Sequence, residues 1–172
     1  MTAKSILEKL KGQHVLIVGD VMIDRYLTGS VSRISPEAPV PVVLHQGTDD
    51  RLGGAANVAL NIRALGSHPI LCSVAGKDAD GEIFRQMLPG SHISAEGLVF
   101  SNTRKTTVKT RILAHNQQML RIDREDEHEL TATEAQELIE RIRFVLDTYP
   151  VRVIILQDYN KGVLTADVID TV

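Results

Sequence analysis

Acidic side chains follow two apolar runs of the sequence at the point where each run ends. Asp20 comes directly after the run HVLIVG, and Asp24 lies four residues later. Asp158 comes directly after the run VRVIILQ, and Lys161 lies three residues later. Ligands of open parallel sheets bind beyond the carboxyl ends of the strands, so we expect these side chains to converge there. Carboxylates accept hydrogen bonds from hydroxyl groups, which favours a polyhydroxylated ligand such as a sugar.

A pair of glycines introduces the third polar feature, the stretch RLGGAANVALNIRALG at residues 51–66. Gly53 and Gly54 read as a turn that opens a helix, Asn57 lies in its first turn, and Gly66 ends it. A helix N-terminus can bind an anion. The sequence contains neither a P-loop motif nor the G-x-G-x-x-G spacing of a dinucleotide fold after the first run. We therefore assign the glycine turn to the same expected ligand site as the acids.

Each feature also has a structural alternative that the residues alone leave open. In this alternative, Asp20 only caps a turn and Asp24 is only a solvated carboxylate. The two glycines allow close packing of a helix on a strand, and Lys161 belongs to an ordinary loop. The functional interpretation depends on the shared location of the features and not on any one of them.

The elements that must position these residues alternate between strands and helices. Continuous apolar runs predict strands that are buried on both faces, at 14–20, 69–76 and 151–158. Helical patterns cover 5–11, 54–65, 79–88 and 131–147, where Thr131 or Thr133 caps the helix and Glu134 completes a capping box, and a last helix starts at 165. This order predicts an α/β fold with a mainly parallel central sheet flanked by helices.

Two segments do not fit the central sheet. Residues 25–46 contain three prolines, which are confined to edge or irregular positions in sheets. Residues 106–123 alternate between apolar and polar positions and predict a hairpin. We expect the two segments to form an inserted β flap.

Composition narrows the function classes further. The chain has 172 residues, which favours one domain, and a net charge of −3, which argues against a nucleic-acid partner. The single cysteine, Cys72, lies in an apolar run, and the six histidines show no metal-ligand spacing. No run is long enough to span a membrane, and the N-terminus lacks the apolar core of a signal peptide. We expect a cytoplasmic protein with no membrane partner and no metal site among these residues.

The glycine stretch also carries a family resemblance. From Gly53 the chain reads Gly-Gly-Ala-Ala-Asn-Val-Ala, followed by Gly66 and Gly76 at the spacing of a known signature. This pattern resembles the ribokinase-like (PfkB) carbohydrate kinases. Residues 19–43, 107–123 and 158–162 resemble the bacterial D-glycero-β-D-manno-heptose-7-phosphate kinases of that family. The stretch SRISPEAPVPV is the most specific part of this resemblance.

The resemblance implies a fold and a reaction. Residues 1–172 would form the N-terminal part of a ribokinase-like kinase domain, with segments 25–46 and 106–123 as a β-sheet lid. With ATP and Mg²⁺ as cofactors, the kinase would phosphorylate the anomeric hydroxyl of heptose 7-phosphate. The product, the 1,7-bisphosphate, would feed the synthesis of ADP-heptose for the lipopolysaccharide core. Lids of this family often pair between subunits, so a homodimer is expected.

The resemblance also implies roles for individual residues. Asp20 and Asp24 match acids that hold sugar hydroxyls, and the turn contacts the sugar through Gly53, Gly54 and Asn57. The DYNKG stretch matches a motif near the reacting centre, through Asp158 and Lys161.

Positive charge alone selects the candidates for the substrate phosphate, because phosphate groups bind guanidinium and ammonium partners. The alternative for each is a solvated face of the lid. These candidates are Arg33, Lys109, Arg111 and Arg121.

One family feature does not occur in the chain. The Gly-Ala-Gly-Asp turn, which supplies the anion hole and the catalytic base in this family, is missing. We therefore assign no catalytic residue here and expect the chain alone to be inactive, as the N-terminal half of a kinase. Two alternatives remain: a kinase of the same family for another sugar, and a non-catalytic sugar-binding module.

Overall fold

The computed structural model of the chain describes residues 3–115 and 117–172. Within this range the strands form two four-stranded sheets. The helices are α1 (Ala3–Leu10), α2 (Ala55–Ala64), α3 (Ala79–Gly90), α4 (Ala132–Thr148) and α5 (Ala166–Thr171). The strands are β1 (His14–Gly19), β2 (Val21–Ile34), β3 (Pro41–Gly54), β4 (His68–Gly76), β5 (Leu98–Ser101), β6 (Val108–Ala114), β7 (Gln117–Arg124) and β8 (Val151–Gln157).

The first sheet is parallel throughout and has the strand order β5-β4-β1-β8. Successive side chains of a strand point to opposite faces, so β1 supplies both faces of the core. Val15 and Ile17 pack in the cluster that includes α2 and α3, whereas Leu16 and Val18 pack in the cluster that includes α4 and α5. The predicted burial of the first two apolar runs is confirmed. Cys72 lies in β4, and burial raises the pKa of its thiol to about 12.

Strand β8 differs from the prediction that it is buried on both faces. It is an edge strand of the first sheet, and its residues Val153 and Leu156 are each 41% exposed. A continuous apolar run does not distinguish an edge strand from a central one, because the distinction depends on which strands pair.

The second sheet has the order β3-β2-β6-β7 and mixed direction. Strands β2 and β3 pair antiparallel, β2 and β6 pair parallel, and β6 and β7 pair antiparallel. The two segments that were expected to form an inserted flap, 25–46 and 106–123, lie in this sheet or in the connections next to its strands. The predicted fold class, a central parallel sheet with helices and an inserted β-sheet, is confirmed.

A single residue connects the first strand of one sheet to the first strand of the other. Strand β1 ends at Gly19 and β2 begins at Val21, so Asp20 alone separates them. The glycine pair is not a separate turn, because β3 runs to Gly54 and α2 begins at Ala55. Gly54 has φ 59° and ψ −136°, and a Cβ there would lie 2.3 Å from the carbonyl oxygen of Asp20. Only glycine adopts this conformation readily, so Gly54 allows α2 to follow β3 without a loop.

Helix α4 begins with the predicted capping box. Thr131 Oγ1 accepts from the backbone N–H of Glu134, and the Glu134 carboxylate accepts from the N–H of Thr131. Burial alone raises the pKa of Glu134, but hydrogen bonds from Ser101, Thr131 and Thr103 outweigh this effect and lower it to about 2. The ionised carboxylate therefore stabilises the start of the helix.

We predict that Glu134→Gln removes a pH-dependent part of the stability. The pKa of Glu134 falls from an ordinary 4.5 to about 2 on folding, so its contribution is complete above pH 4.5 and is lost as the pH falls toward 2. Urea unfolding across this pH range should show that the difference in free energy of unfolding between wild type and variant narrows with falling pH. A difference that stays constant with pH would contradict the assignment.

Candidate functional site

An open cavity of about 590 Å³ lies where β2 and β3 approach α2 and the end of α3. Strand β3 is an edge strand of the second sheet, so residues from both of its faces line the cavity. Two predicted site residues, Asp24 and Asn57, line it. A third, Gly53, lies against Asp24, because a Cβ on Gly53 would come within 2.5 Å of Asp24 Oδ2. The structure thus brings Asp24, Gly53 and Asn57 to one place.

The carboxylate of Asp24 is held at one oxygen. Arg111 Nη1 donates to Asp24 Oδ1 at 2.5 Å, and both side chains are about three-quarters buried. The other oxygen, Oδ2, lies against Gly53, at a place that a side chain on residue 53 would occupy. This arrangement fixes a hydrogen-bond acceptor at the wall of the cavity, which is suited to a ligand hydroxyl.

The structure corrects the predicted role of Asp20. Its side chain is 1% exposed, and its carboxylate accepts hydrogen bonds from three backbone N–H groups. Oδ2 accepts from Tyr159 at 2.8 Å and from Lys161 at 3.2 Å, and Oδ1 accepts from Val163 at 3.2 Å. The predicted contact between Asp20 and a sugar hydroxyl is therefore wrong, because the carboxylate is buried and bound to the loop after β8.

The backbone of Asp20 holds a second segment. Its carbonyl oxygen accepts from the N–H of Ala55 at 2.8 Å, at the start of α2. The predicted turn residue Gly54 packs directly on this carbonyl. Asp20 therefore links the glycine junction to the loop after β8, and its role is to position both.

Asp158 and Lys161 lie in that loop and not among the residues that line the cavity. Asp158 Oδ1 accepts from the N–H of Asn160 at 2.6 Å. Lys161 Nζ pairs with Glu127 at 2.8 Å and with Glu125 at 2.9 Å. These two hydrogen bonds raise the pKa of Lys161. The expected convergence of all the polar features is only partial, because this lysine is bound to the segment that follows β7.

Two of the residues predicted to bind the substrate phosphate form ion pairs with acidic side chains. Lys109 pairs with Asp123 at 3.1 Å and with Glu125 at 3.0 Å, and Arg121 pairs with Asp123 at 2.9 Å. The burial of Asp123 raises its pKa, but the hydrogen bonds from Lys109 and Arg121 outweigh this and lower it. Neither cation lines the cavity.

The other two candidates lie far apart. Arg33 is exposed and lies nine residues beyond Asp24 along β2, which corresponds to about 30 Å at the rise of a strand. Arg111 reaches the site through Asp24. The four candidates therefore do not form one phosphate site within this chain.

Among the cavity residues that sequence reasoning missed are Tyr26 and Arg51. Arg51 is paired with Asp24 across β3 and β2. The guanidinium carbons of Arg51 and Arg111 lie 4.7 Å and 5.4 Å from the centroid of the Tyr26 ring. Arg51 stands two residues before Gly53, so an extended strand up to Gly54 would have placed both on one face.

A network of ion pairs that the sequence did not reveal attaches the second sheet to helix α3. Arg25 of β2 pairs with Asp50 at 2.7 Å and with Asp80 at 3.0 Å. Arg124 of β7 pairs with Asp78 at 2.9 Å and also with Asp80. The hydrogen bond from Arg25 to Asp50 raises the pKa of this arginine. These partly buried pairs hold the cavity wall formed by β2 and β3 against α3.

Residues 3–115 and 117–172 contain no group of His, Cys, Asp and Glu side chains arranged to hold a metal ion. In the same ranges, no helix has the length and apolar character needed to cross a membrane.

Residues 13–168 match the pfkB family of carbohydrate kinases. The chain belongs to this family. It is 43% identical over 169 residues to the bifunctional protein HldE of Citrifermentans bemidjiense, which covers 98% of the chain and 34% of that protein. It is 45% identical over 152 residues to HldE of Helicobacter pylori, which covers 88% of the chain and 32% of that protein. The chain thus spans about a third of the length of these curated relatives.

The solved structure of phosphofructokinase-2 from Escherichia coli has a similar fold. The TM-score is 0.61 at 18% sequence identity, and the match covers 90% of this chain and 47% of that chain. At this identity the likeness shows the fold alone. It agrees with the ribokinase-like architecture that the family implies.

We predict that Asp20→Asn loosens the loop at residues 159–163. Asparagine keeps one carbonyl oxygen but loses the charge, and hydrogen bonds to charged groups contribute about 1.5–3 kcal/mol each. The N–H groups of Tyr159, Lys161 and Val163 should exchange with solvent at least about tenfold faster by NMR.

Asp158→Asn is the matched control, because Asp158 accepts only from the nearby N–H of Asn160 among the hydrogen bonds described. It should leave exchange at the three amides unchanged. Wild-type protection of those amides in Asp20→Asn would refute the positioning role.

Proposed function

We propose that this chain is the sugar-binding, N-terminal part of a kinase for D-glycero-β-D-manno-heptose 7-phosphate. The kinase transfers the γ-phosphoryl group of ATP to the anomeric hydroxyl and forms the 1,7-bisphosphate, a precursor of ADP-heptose for the lipopolysaccharide core. The observation that carries this proposal is the meeting of Asp24, Gly53 and Asn57 at one cavity. Identity of more than 40% to HldE proteins along nearly the whole chain supports the choice of sugar.

The cavity residues divide the work of holding the sugar. Asp24 accepts hydrogen bonds from sugar hydroxyls through the oxygen that faces Gly53, while Arg111 fixes the carboxylate. The amide of Asn57 both donates and accepts, so it binds a neighbouring hydroxyl in either orientation. Gly54 and Asp20 hold the start of α2, which carries Asn57.

The loop after β8 contributes near the reacting centre. We retain Asp158 and Lys161 as residues of this centre, on the motif that they share with the family. Asp20 fixes the loop relative to the glycine junction, so the sugar and the loop keep a constant relation. Phosphoryl transfer depends mainly on positioning and electrostatic stabilisation, and this connection supplies part of the positioning.

ATP is the phosphoryl donor in this proposal, and Mg²⁺ is its companion ion. Membership in a carbohydrate kinase family supports the use of ATP. The described residues offer no cluster for a metal ion, and no step above depends on one. A cytoplasmic location follows from the proposed use of ATP and a sugar phosphate.

We predict that the chain binds heptose 7-phosphate and that Asp24→Asn weakens binding at least about tenfold, because a charged acceptor is lost. Isothermal titration calorimetry should also show that the wild-type chain binds ribose 5-phosphate and fructose 6-phosphate more weakly than heptose 7-phosphate. Asp147→Asn is the control, since Asp147 is exposed on α4 and does not line the cavity. Tighter binding of ribose 5-phosphate or fructose 6-phosphate would sink the heptose assignment.

Turnover separates the kinase from a binding module. The full-length product of the gene that encodes this chain should phosphorylate heptose 7-phosphate in the presence of ATP and Mg²⁺. Binding of the sugar phosphate without turnover by that product would favour a non-catalytic sugar-binding module.

We also propose that two copies of the chain pair through the second sheet. One face of this sheet continues outward from the buried Ile23 and Val108 to Leu27, Ile112 and their neighbours on β7. Those neighbours, Leu120 and Ile122, are 54% and 52% exposed. An apolar sheet face of this kind is typical of an interface between subunits.

We predict that Ile122→Glu shifts a dimer to a monomer, because a buried interface does not accommodate an unpaired carboxylate. Sedimentation velocity measures the change. Phe144→Glu is the control, since Phe144 is 48% exposed on α4, away from this sheet. A dimer that survives Ile122→Glu and Leu120→Glu would exclude this surface.

A further inference from the structure

One cation stands out at the wall of the cavity. Arg51 lines the cavity with Asp24 and Asn57, and its backbone is paired with that of Asp24. Its side chain is 64% exposed, so solvent or a ligand reaches the guanidinium. No assignment made from the sequence or the family resemblance includes this residue.

The other cations near the site form ion pairs that are more deeply buried. Arg111 is bound to Asp24 in a pair whose side chains are only 23% and 24% exposed. Arg25 is bound to Asp50 and Asp80, with its side chain 21% exposed. Removing either from its partner would leave a partly buried carboxylate unpaired, which is costly.

Arg51 forms a weaker, more exposed ion pair. Its acidic partner, Asp49, is 56% exposed, and ion pairs between exposed side chains contribute little to stability. A dianionic ligand group can therefore replace Asp49 as the partner of Arg51. The Tyr26 ring lies 4.7 Å from the guanidinium carbon of Arg51 and keeps this guanidinium near the cavity by a cation–π contact.

The cavity offers groups for two kinds of ligand chemistry. The carboxylate of Asp24 and the amide of Asn57 suit hydroxyl groups, and the guanidinium groups of Arg51 and Arg111 flank the Tyr26 ring. A planar guanidinium binds two oxygens of a phosphate at once, which an ammonium cannot do. A ligand that carries both hydroxyl groups and a phosphate fits this lining.

We propose that Arg51, oriented by Tyr26, binds the phosphate of the sugar phosphate and makes the site selective for phosphorylated sugars. This proposal rests on the proposed function, because it concerns the same cavity. It replaces the sequence-based choice of Arg33, Lys109 and Arg121 as phosphate ligands. Arg111 supports it by holding Asp24 and by sharing the Tyr26 ring.

The test is a comparison of two ligands and three proteins by calorimetry. The ligands are heptose 7-phosphate and unphosphorylated heptose, and the proteins are wild type, Arg51→Gln and Arg121→Gln. Arg51→Gln should weaken binding of the phosphate ester at least about tenfold and leave the affinity for heptose within about twofold. Arg121 is the matched control, because it is 52% exposed on the same sheet and pairs with Asp123.

Arg51→Lys separates charge from geometry. It should recover only part of the lost affinity, because lysine keeps the charge without the planar pair of donors. Equal loss for both ligands in Arg51→Gln would mean a structural effect and overturn the proposal. Wild-type affinity for heptose 7-phosphate in that variant would overturn it as well.

The outcome can be distinguished from failure of the proposed function. If the wild-type chain prefers another sugar phosphate, the heptose assignment fails. Arg51→Gln should still lose the preference for that sugar phosphate over the free sugar. Absence of binding to any sugar phosphate would overturn both proposals.

Discussion

The buried carboxylate of Asp20 is the interaction on which the site depends. A carboxylate that is 1% exposed needs a full set of partners, and three backbone N–H groups of the loop after β8 supply them. The carbonyl of the same residue accepts from the first N–H of α2. Asp20 is also the one residue between β1 and β2. It therefore fixes helix α2 and the loop after β8 relative to the point where the chain passes from the first sheet to the second. This explains why an acid that resembles a sugar ligand in the sequence acts instead as a structural anchor.

Ion pairs hold the second sheet in place together with the apolar contacts of Ile23, Leu52 and Val108. Arg25 and Arg124 reach from this sheet to the start of α3, and Lys161 reaches from the loop after β8 to Glu125. The cavity lies beside these contacts, with Asp24 and Arg51 on the sheet and Asn57 on the helix. A sugar that bridges sheet and helix would therefore add to the contacts that hold the second sheet.

The sequence was informative wherever local chemistry decides the structure. The apolar runs of β1 and β4 predicted buried parallel strands, and Thr131 with Glu134 predicted the start of α4. Three prolines and an alternating pattern correctly separated the second sheet from the first. Where pairing decides, the sequence was silent or misleading. The exposed face of β8 follows from its edge position, and the four residues of β5 are too short for a clear pattern.

The choice of ion-pair partners was beyond sequence reasoning for the same reason. Lys109 and Arg121 were candidates by charge alone, but strand pairing places Asp123 beside them. Arg51 went unnoticed because its position next to Asp24 depends on the register of β2 and β3. The spacing of Gly53, Gly54 and Asn57 could be interpreted from the sequence, since it reflects the local junction of strand β3 and helix α2.

A crystal structure of the chain with bound heptose 7-phosphate tests the central claim most directly. The account predicts sugar hydroxyls within hydrogen-bond distance of Asp24 and Asn57, the phosphate at the guanidinium of Arg51, and the Asp20 carboxylate still bound to the loop after β8. A sugar hydroxyl on Asp20, or a phosphate bound between Lys109 and Lys161, would contradict it.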